Sequence, residues 1–165
     1  MKTFSTELTT NATTVLTAAR KKSLRLCTAE SCTGGLLAAC LTDVAGSSDV
    51  FDRGFVTYSY EAKTDLLDVS KTTLADFGAV SAETALEMAR GALANANAHI
   101  AVSITGIAGP GGGTPDKPVG LVYMAIASAK GEKVLKNNFS GDRSDVRLAT
   151  VKKALDVFLK EIEAL

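Results

Sequence analysis

Apolar residues return along this chain in two rhythms, and the places where the rhythm changes divide it into elements. Leu8, Ala12, Val15, Leu16 and Ala19 recur at helical spacing, so the first twenty residues read as an amphipathic helix. Ser23 to Glu30 reads as a short strand, and Thr33 to Val44 as a helix ended by Gly46 in a Gly-Ser-Ser turn. Phe51 to Tyr60 is aromatic and β-branched enough for a strand. On that strand Tyr58 and Tyr60 would share a face, with Lys63 following at its end. Short helical pieces are expected over Glu61 to Leu67 and Lys71 to Phe77, then a longer helix capped by Ser81 and running to about Asn95.

His99 to Thr105 is a continuous run of small apolar residues, the pattern of a strand buried on both faces. A glycine- and proline-rich loop, Gly106 to Gly120, leads into a second apolar strand, Val119 to Ser128. Lys130-Gly131 turns the chain into Lys133 to Phe139, whose interspersed lysines and asparagines suit a sheet edge. Val151, Leu155, Phe158, Ile162 and Leu165 form the stripe of a last helix, which Asp142 or Ser144 can cap. This order predicts an α/β fold, a three-layer α/β/α domain with helices on both sides of a mixed sheet. One domain is expected over residues 1–165, a length whose core can sustain itself.

Charge narrows the function classes. Eighteen lysines and arginines balance eighteen aspartates and glutamates, which argues against direct binding of nucleic acid or an anionic membrane. A small anion held by one or two local cations stays open. No apolar run approaches the length of a membrane span, and Met1 to Arg20 lacks the apolar core of a leader. Cys27, Cys32 and Cys40 are odd in number and crowded together, so a disulfide framework is not expected and a cytoplasmic location is. They also lack the spacing and histidine companions of a metal site. No metal and no organic cofactor is expected, and the expected assembly is a homo-oligomer.

Four stretches could carry chemistry. In Thr28-Ala29-Glu30-Ser31-Cys32-Thr33-Gly34-Gly35 a strand ends, a hydroxyl and a thiol follow, and two glycines open a helix. Backbone N–H groups at such a start can stabilise an oxyanion or hold a phosphate. Ser31 or Thr33 could equally be a plain N-cap, and Cys32 is a second candidate nucleophile. A serine nucleophile needs a base, and the candidates are His99, the single histidine, or a desolvated lysine such as Lys63. Taken alone, Lys63 reads as a solvated surface residue. The loop beginning Thr105-Gly106-Ile107-Ala108-Gly109-Pro110-Gly111-Gly112-Gly113 follows the buried strand, where open α/β sheets bind ligands. It lacks the signature of a nucleoside-triphosphate or dinucleotide loop. In Phe139-Ser140-Gly141-Asp142-Arg143-Ser144-Asp145-Val146-Arg147, Arg143 could offer its fork to a phosphate or carboxylate.

Together TAESCTGG, YSYEAK, GAVS (Gly78 to Ser81), SITGIAGPGGG with KPVG, and FSGDR resemble, in this order, the CinA C-terminal-domain family. The resemblance runs from Leu24 to Leu159. It implies a single α/β/α amidase domain that hydrolyses nicotinamide mononucleotide to nicotinate mononucleotide and ammonia, in salvage of pyridine nucleotides. Longer relatives carry a further N-terminal domain, for which this chain has no room. The resemblance makes Ser31 the nucleophile and Tyr58 and Lys63 its activating partners, with Lys63 as base and Tyr58 as relay, though either could accept the proton. Thr33, Gly34 and Gly35 would form the oxyanion hole, Thr105 and Gly106 would line the nicotinamide pocket, and Gly111, Gly112 and Arg143 would hold the substrate. The sequence departs from the family at Tyr60, where Asn is usual, and after Pro110, where many members have Asp. The alternatives are a module that binds a pyridine nucleotide without turning it over, and a competence- or damage-associated protein.

Overall fold

A strand with no polar face needs cover on both sides: helices from the two ends of the chain cover one face and helices from its middle the other. The computed structural model describes residues 3–165. Met1 and Lys2, part of the stretch read as lacking a leader, lie outside the described residues.

Helix α1 (Thr6–Lys21) starts at Ser5, whose hydroxyl accepts the Leu8 N–H, and buries Leu8, Ala12, Val15, Leu16 and Ala19 as expected. Ser23 takes a left-handed conformation (φ 54°), so the chain turns there and strand β1 spans only Leu26–Glu30. Helix α2 (Leu36–Thr42) starts three residues later than Thr33, because Gly34 and Gly35 adopt φ 61° and 94°, which no helix contains. Strand β2 (Phe51–Val56) stops short of Tyr60. Ser59 instead caps helix α3 (Tyr60–Leu67), its hydroxyl accepting the Ala62 N–H. Tyr58 and Tyr60 therefore do not share a strand face: Tyr58 lies in the link, and Tyr60 opens the helix.

Helices α4 (Lys71–Phe77) and α5 (Ala82–Ala94, capped by Ser81) follow, then strands β3 (Ile100–Gly106), β4 (Leu121–Ser128) and β5 (Gly131–Asn138). Strand β4 starts two residues after Val119, which is exposed between Pro118 and a left-handed Gly120 (φ 93°). Helix α6 (Arg143–Ala164) has a reciprocal cap, Asp142 accepting from Ser144 and Asp145 while Asp145 accepts from Asp142. Leu165 falls past its end and is exposed, so it is not part of the buried stripe.

The five-stranded sheet has the order β2-β1-β3-β4-β5. Strands β2, β1 and β3 are parallel, while β4 and β5 continue antiparallel, so the sheet is mixed. Ile100, Val102 and Ile104 join α1, α2 and α6 in one apolar cluster. On the other face, Cys27, Ala29 and Ala101 pack with Leu67 of α3, Leu74 of α4 and Met88 of α5. This is the three-layer α/β/α arrangement. Helices α3 and α5 touch closely at Gly91, where a Cβ would lie 1.9 Å from the Leu67 carbonyl oxygen. Among the described residues no helix is long and apolar enough to cross a membrane.

Candidate active site

Side chains alternate along β1: Leu26 faces the α1–α6 layer, while Cys27 and Ala29 face α3 and α5. Carried to the strand's last residue and one beyond, that alternation sends Glu30 toward α2 and Ser31 toward α3, and the hydrogen bonds follow it. The buried Glu30 carboxylate accepts the N–H groups of Gly35 (3.2 Å), Leu37 (3.0 Å) and Ala38 (2.8 Å). The positive end of α2 is thus occupied by the chain's own carboxylate. On the opposite side, the Lys63 amine lies 3.0 Å from Ser31 Oγ.

Lys63 is fully buried, against its reading as a surface lysine. Its Nζ donates to the carbonyls of Thr57 (2.7 Å) and Tyr58 (3.5 Å), and no carboxylate lies within ion-pair distance among the described residues. Burial lowers its pKa from 10.5 to about 8, opposed by the neighbouring Cys32. The Cys32 thiol moves the other way, pushed up by burial to about 11. It stays protonated at neutral pH, where it is a poor nucleophile. All three cysteines are buried and free.

The turn Ser31–Gly35 decides which backbone donors remain. The Ser31 N–H goes to Ile104 O, that of Gly34 to Ser31 O, and that of Leu36 to Thr33 O. With Gly35 on Glu30, the glycine donors expected in an oxyanion hole are committed elsewhere. Among the described residues the N–H groups of Cys32 and Thr33 have no backbone acceptor. The buried Thr33 hydroxyl has no partner either. The N-cap of α2 is Gly35, without a side-chain cap bond, so neither Ser31 nor Thr33 fills that role.

The remaining expected residues divide. The exposed Tyr58 turns its phenol to Arg143, whose Nη2 donates to it over 3.2 Å; its link to Lys63 runs through its backbone carbonyl. Arg143 Nη1 also holds the glycine loop by Gly109 O (2.8 Å). A cavity of about 320 Å³ beside it is lined by Ala108, Pro110, Val119 and Arg143, and Ser31 is not in its wall. The Thr105 hydroxyl is committed to Ala79 O (2.6 Å), tying β3 to the segment before α5. Gly106 packs against β4, where a Cβ would meet Leu121 O at 2.7 Å, while Gly111 and Gly112 sit on the exposed crest of the loop. Tyr60, the departure from the usual Asn, accepts the Ala79 N–H with its hydroxyl (3.2 Å). His99 is remote: its Nδ1 accepts the Arg25 N–H at the start of β1. Six residues of extended chain, about 20 Å, separate that end from Ser31.

Two residues at the candidate site, Glu30 and Arg147, fall within the stretches singled out in the sequence but were assigned no role there. Glu30 could have been found from strand alternation, which sends a charge into a buried layer. Arg147, one helical turn after Arg143, donates to Thr33 O (2.9 Å). Its signal was the four-residue spacing that puts both arginines on one helix face. Among the described residues no group of three or more potential ligands is placed to hold a metal ion.

Fold and site together define an α/β/α domain with a buried serine–lysine pair at the carboxyl ends of parallel strands. Residues 8–162 match the model of the CinA C-terminal domain, and the chain belongs to that family. A competence/damage inducible protein CihA from Agrobacterium tumefaciens superposes with a TM-score of 0.95 at 47% identity, covering 99% of each chain. A protein from Enterobacter agglomerans named nicotinamide-nucleotide amidohydrolase PncC is 54% identical over 81% of this chain and 82% of its own length. A competence-damage inducible protein of Caldicellulosiruptor bescii is 52% identical over 86% of the chain. The chain spans about a third (34%) of the length of that and similar relatives.

Proposed function

We propose that this protein is an amidase that hydrolyses nicotinamide mononucleotide to nicotinate mononucleotide and ammonia, with Ser31 as nucleophile and Lys63 as general base. The observation that carries the reading is the buried Lys63 amine 3.0 Å from Ser31 Oγ, with no carboxylate to hold its proton. A neutral amine has two N–H bonds and one lone pair. With the carbonyls of Thr57 and Tyr58 accepting the N–H bonds, the lone pair is left for the Ser31 hydroxyl.

In the first step Ser31 Oγ bonds to the carboxamide carbon, the Ser31 proton passes to Lys63, and the carbonyl π pair moves onto oxygen. The N–H groups of Cys32 and Thr33 are the donors available to that oxyanion. As the carbon–nitrogen bond breaks, Lys63 returns the proton to the leaving nitrogen and ammonia departs. Water then attacks the ester with Lys63 again as base, releasing the carboxylate and restoring Ser31. Arg143 serves as a substrate-holding and orienting group, and Tyr58 as its companion rather than as proton acceptor, since its phenol accepts from Arg143.

The charge around the site supports an anionic substrate. Lys117 donates to Phe77 O, Arg143 to Gly109 O and Tyr58 Oη, and Arg147 to Thr33 O. None of the three has a carboxylate within ion-pair distance among the described residues. A phosphate would supply the missing charge. The kinship with a relative named for this activity points the same way, and salvage of pyridine nucleotides is the natural setting. The test is ammonia release from nicotinamide mononucleotide by the purified protein. Tight binding of the mononucleotide with no ammonia formed would replace the amidase with a binding module.

A further inference from the structure

The spare Cys32 N–H, next in sequence to Ser31, sits in a chain of peptide planes that ends on a side chain with no assigned role. The Cys32 N–H belongs to the same rigid peptide as the Ser31 carbonyl. That carbonyl is held at 3.0 Å by the Gly34 N–H. The Gly34 N–H in turn belongs to the same peptide as the Thr33 carbonyl, which accepts from the Leu36 N–H at 3.1 Å and, as its one side-chain partner, from Arg147 Nη2 at 2.9 Å. Turning either plane would re-aim the Cys32 N–H. Glu30 fixes the far side of the turn through Gly35, Leu37 and Ala38, so Arg147 closes the arrangement from the near side.

Arg147 is poorly placed for a merely stabilising role. It is half-buried, its Nε has neither solvent nor partner among the described residues, and it has no carboxylate partner there. Desolvating a guanidinium against one neutral acceptor costs stability rather than adding it. The cation also polarises the peptide it grips, which strengthens the next donor along the chain of hydrogen bonds. We propose that Arg147 is a positioning residue for the oxyanion donor, aiming and polarising the Cys32 N–H through the Thr33–Gly34 and Ser31–Cys32 peptides. The inference rests on the reading of Ser31 as nucleophile.

Two readouts test it: kcat and KM for nicotinamide mononucleotide, and the rate at which a fluorophosphonate labels Ser31, followed by intact mass. In the labelling step Ser31 Oγ bonds to phosphorus, fluoride leaves, Lys63 takes the proton and the phosphoryl oxygen needs the same donors. Arg147→Met should lower kcat and the labelling rate together by roughly ten- to a hundredfold, less than deleting an oxyanion donor outright, with KM held within about threefold. Arg147→Lys, which keeps the charge and one donor, should recover most of both rates. If Arg147→Met does not fold, Arg147→Gln takes its place, and its rates should fall well below those of Arg147→Lys. Wild-type labelling rates in folded Met or Gln variants would overturn the proposal. So would a tenfold rise in KM at unchanged kcat, which would make Arg147 a group that merely binds substrate. Wild-type protein that is labelled at Ser31 but releases no ammonia removes the substrate reading and leaves the labelling test standing. Wild-type protein that does neither removes both.

Discussion

The two ends of the sheet treat charge in opposite ways. Where the parallel strands begin, the arginines are matched: Arg25 and Arg53 both meet Asp52, and Arg20 meets Asp49, while Lys22 rests on the carbonyls of Ile162 and Glu163. Even His99 there accepts a backbone N–H from its neighbour. Where the strands end, Lys63, Lys117, Arg143 and Arg147 all rest on carbonyl or hydroxyl oxygens. The chain's net charge is zero, so the difference is one of placement. A matched end is a finished structure. An end with unmatched cations and two spare backbone donors suits negative charge, which in the proposed reading is the substrate phosphate and the oxyanion of the reaction.

The comparison breaks most sharply at Ser31. Ser31→Ala should lower ammonia release at least a thousandfold, roughly the scale of losing a nucleophile, while circular dichroism shows an unchanged fold. Cys32→Ala should stay within about threefold of wild type, since its thiol is held protonated. The reverse outcome would hand the nucleophile's role to the thiol. Next in size is the phosphate. Nicotinamide riboside should have a kcat/KM roughly ten- to a hundredfold below that of the mononucleotide, the scale of one or two charge-assisted bonds. Arg143→Ala should shrink that preference. Equal values for the two compounds would mean that the unmatched cations read nothing.

A smaller effect concerns stability. The folded-state pKa of Lys63 lies near 8, below its ordinary 10.5. The unfolded chain therefore binds more protons between those values, and wild-type stability should rise with pH across that window. At neutral pH the burial costs roughly 3 kcal/mol, partly offset by the hydrogen bonds of the amine. Lys63→Met should accordingly be inactive yet no less stable at pH 7, and should lose that parity as pH approaches 10. Thermal melts of both proteins over the range check the sign, and a wild type that loses stability from pH 8 to 10 would contradict it. The smallest effect belongs to the matched end. His99→Asn should change kcat/KM by less than about twofold, because about 20 Å of strand separates it from Ser31. A large loss there would reopen histidine as the base.

Much of the fold was legible because periodicity reports burial. The stripe of α1, that of α6 as far as Ile162, the apolar β3 and the lysine-bearing edge β5 lie where their patterns put them. Boundaries failed where a local device overrode the pattern: left-handed Gly34 and Gly35 delay α2, and Ser59 ends the run of aromatics by capping α3. The site was legible as a set of stretches, since TAESCTGG and YSYEAK bring Ser31 and Lys63 together. What the sequence could not carry was tertiary. Nothing in the helical sequence around Lys63 announces that the lysine is buried, or that Gly91 lets α3 sink against α5 at Leu67. Nor could it reveal that Glu30 takes the Gly35 N–H, leaving Cys32 and Thr33 as the spare donors.

The pH dependence of kcat/KM for nicotinamide mononucleotide tests the central claim most directly, because the neutral Lys63 amine is the species that must accept the Ser31 proton. The account predicts that kcat/KM falls as pH drops below a group titrating near 8, levels above it, and is lost in Lys63→Arg, whose guanidinium keeps its proton at any usable pH. Near-wild-type hydrolysis by Lys63→Arg, or a profile that ignores pH between 6 and 10 (roughly two units either side of that value), would contradict it.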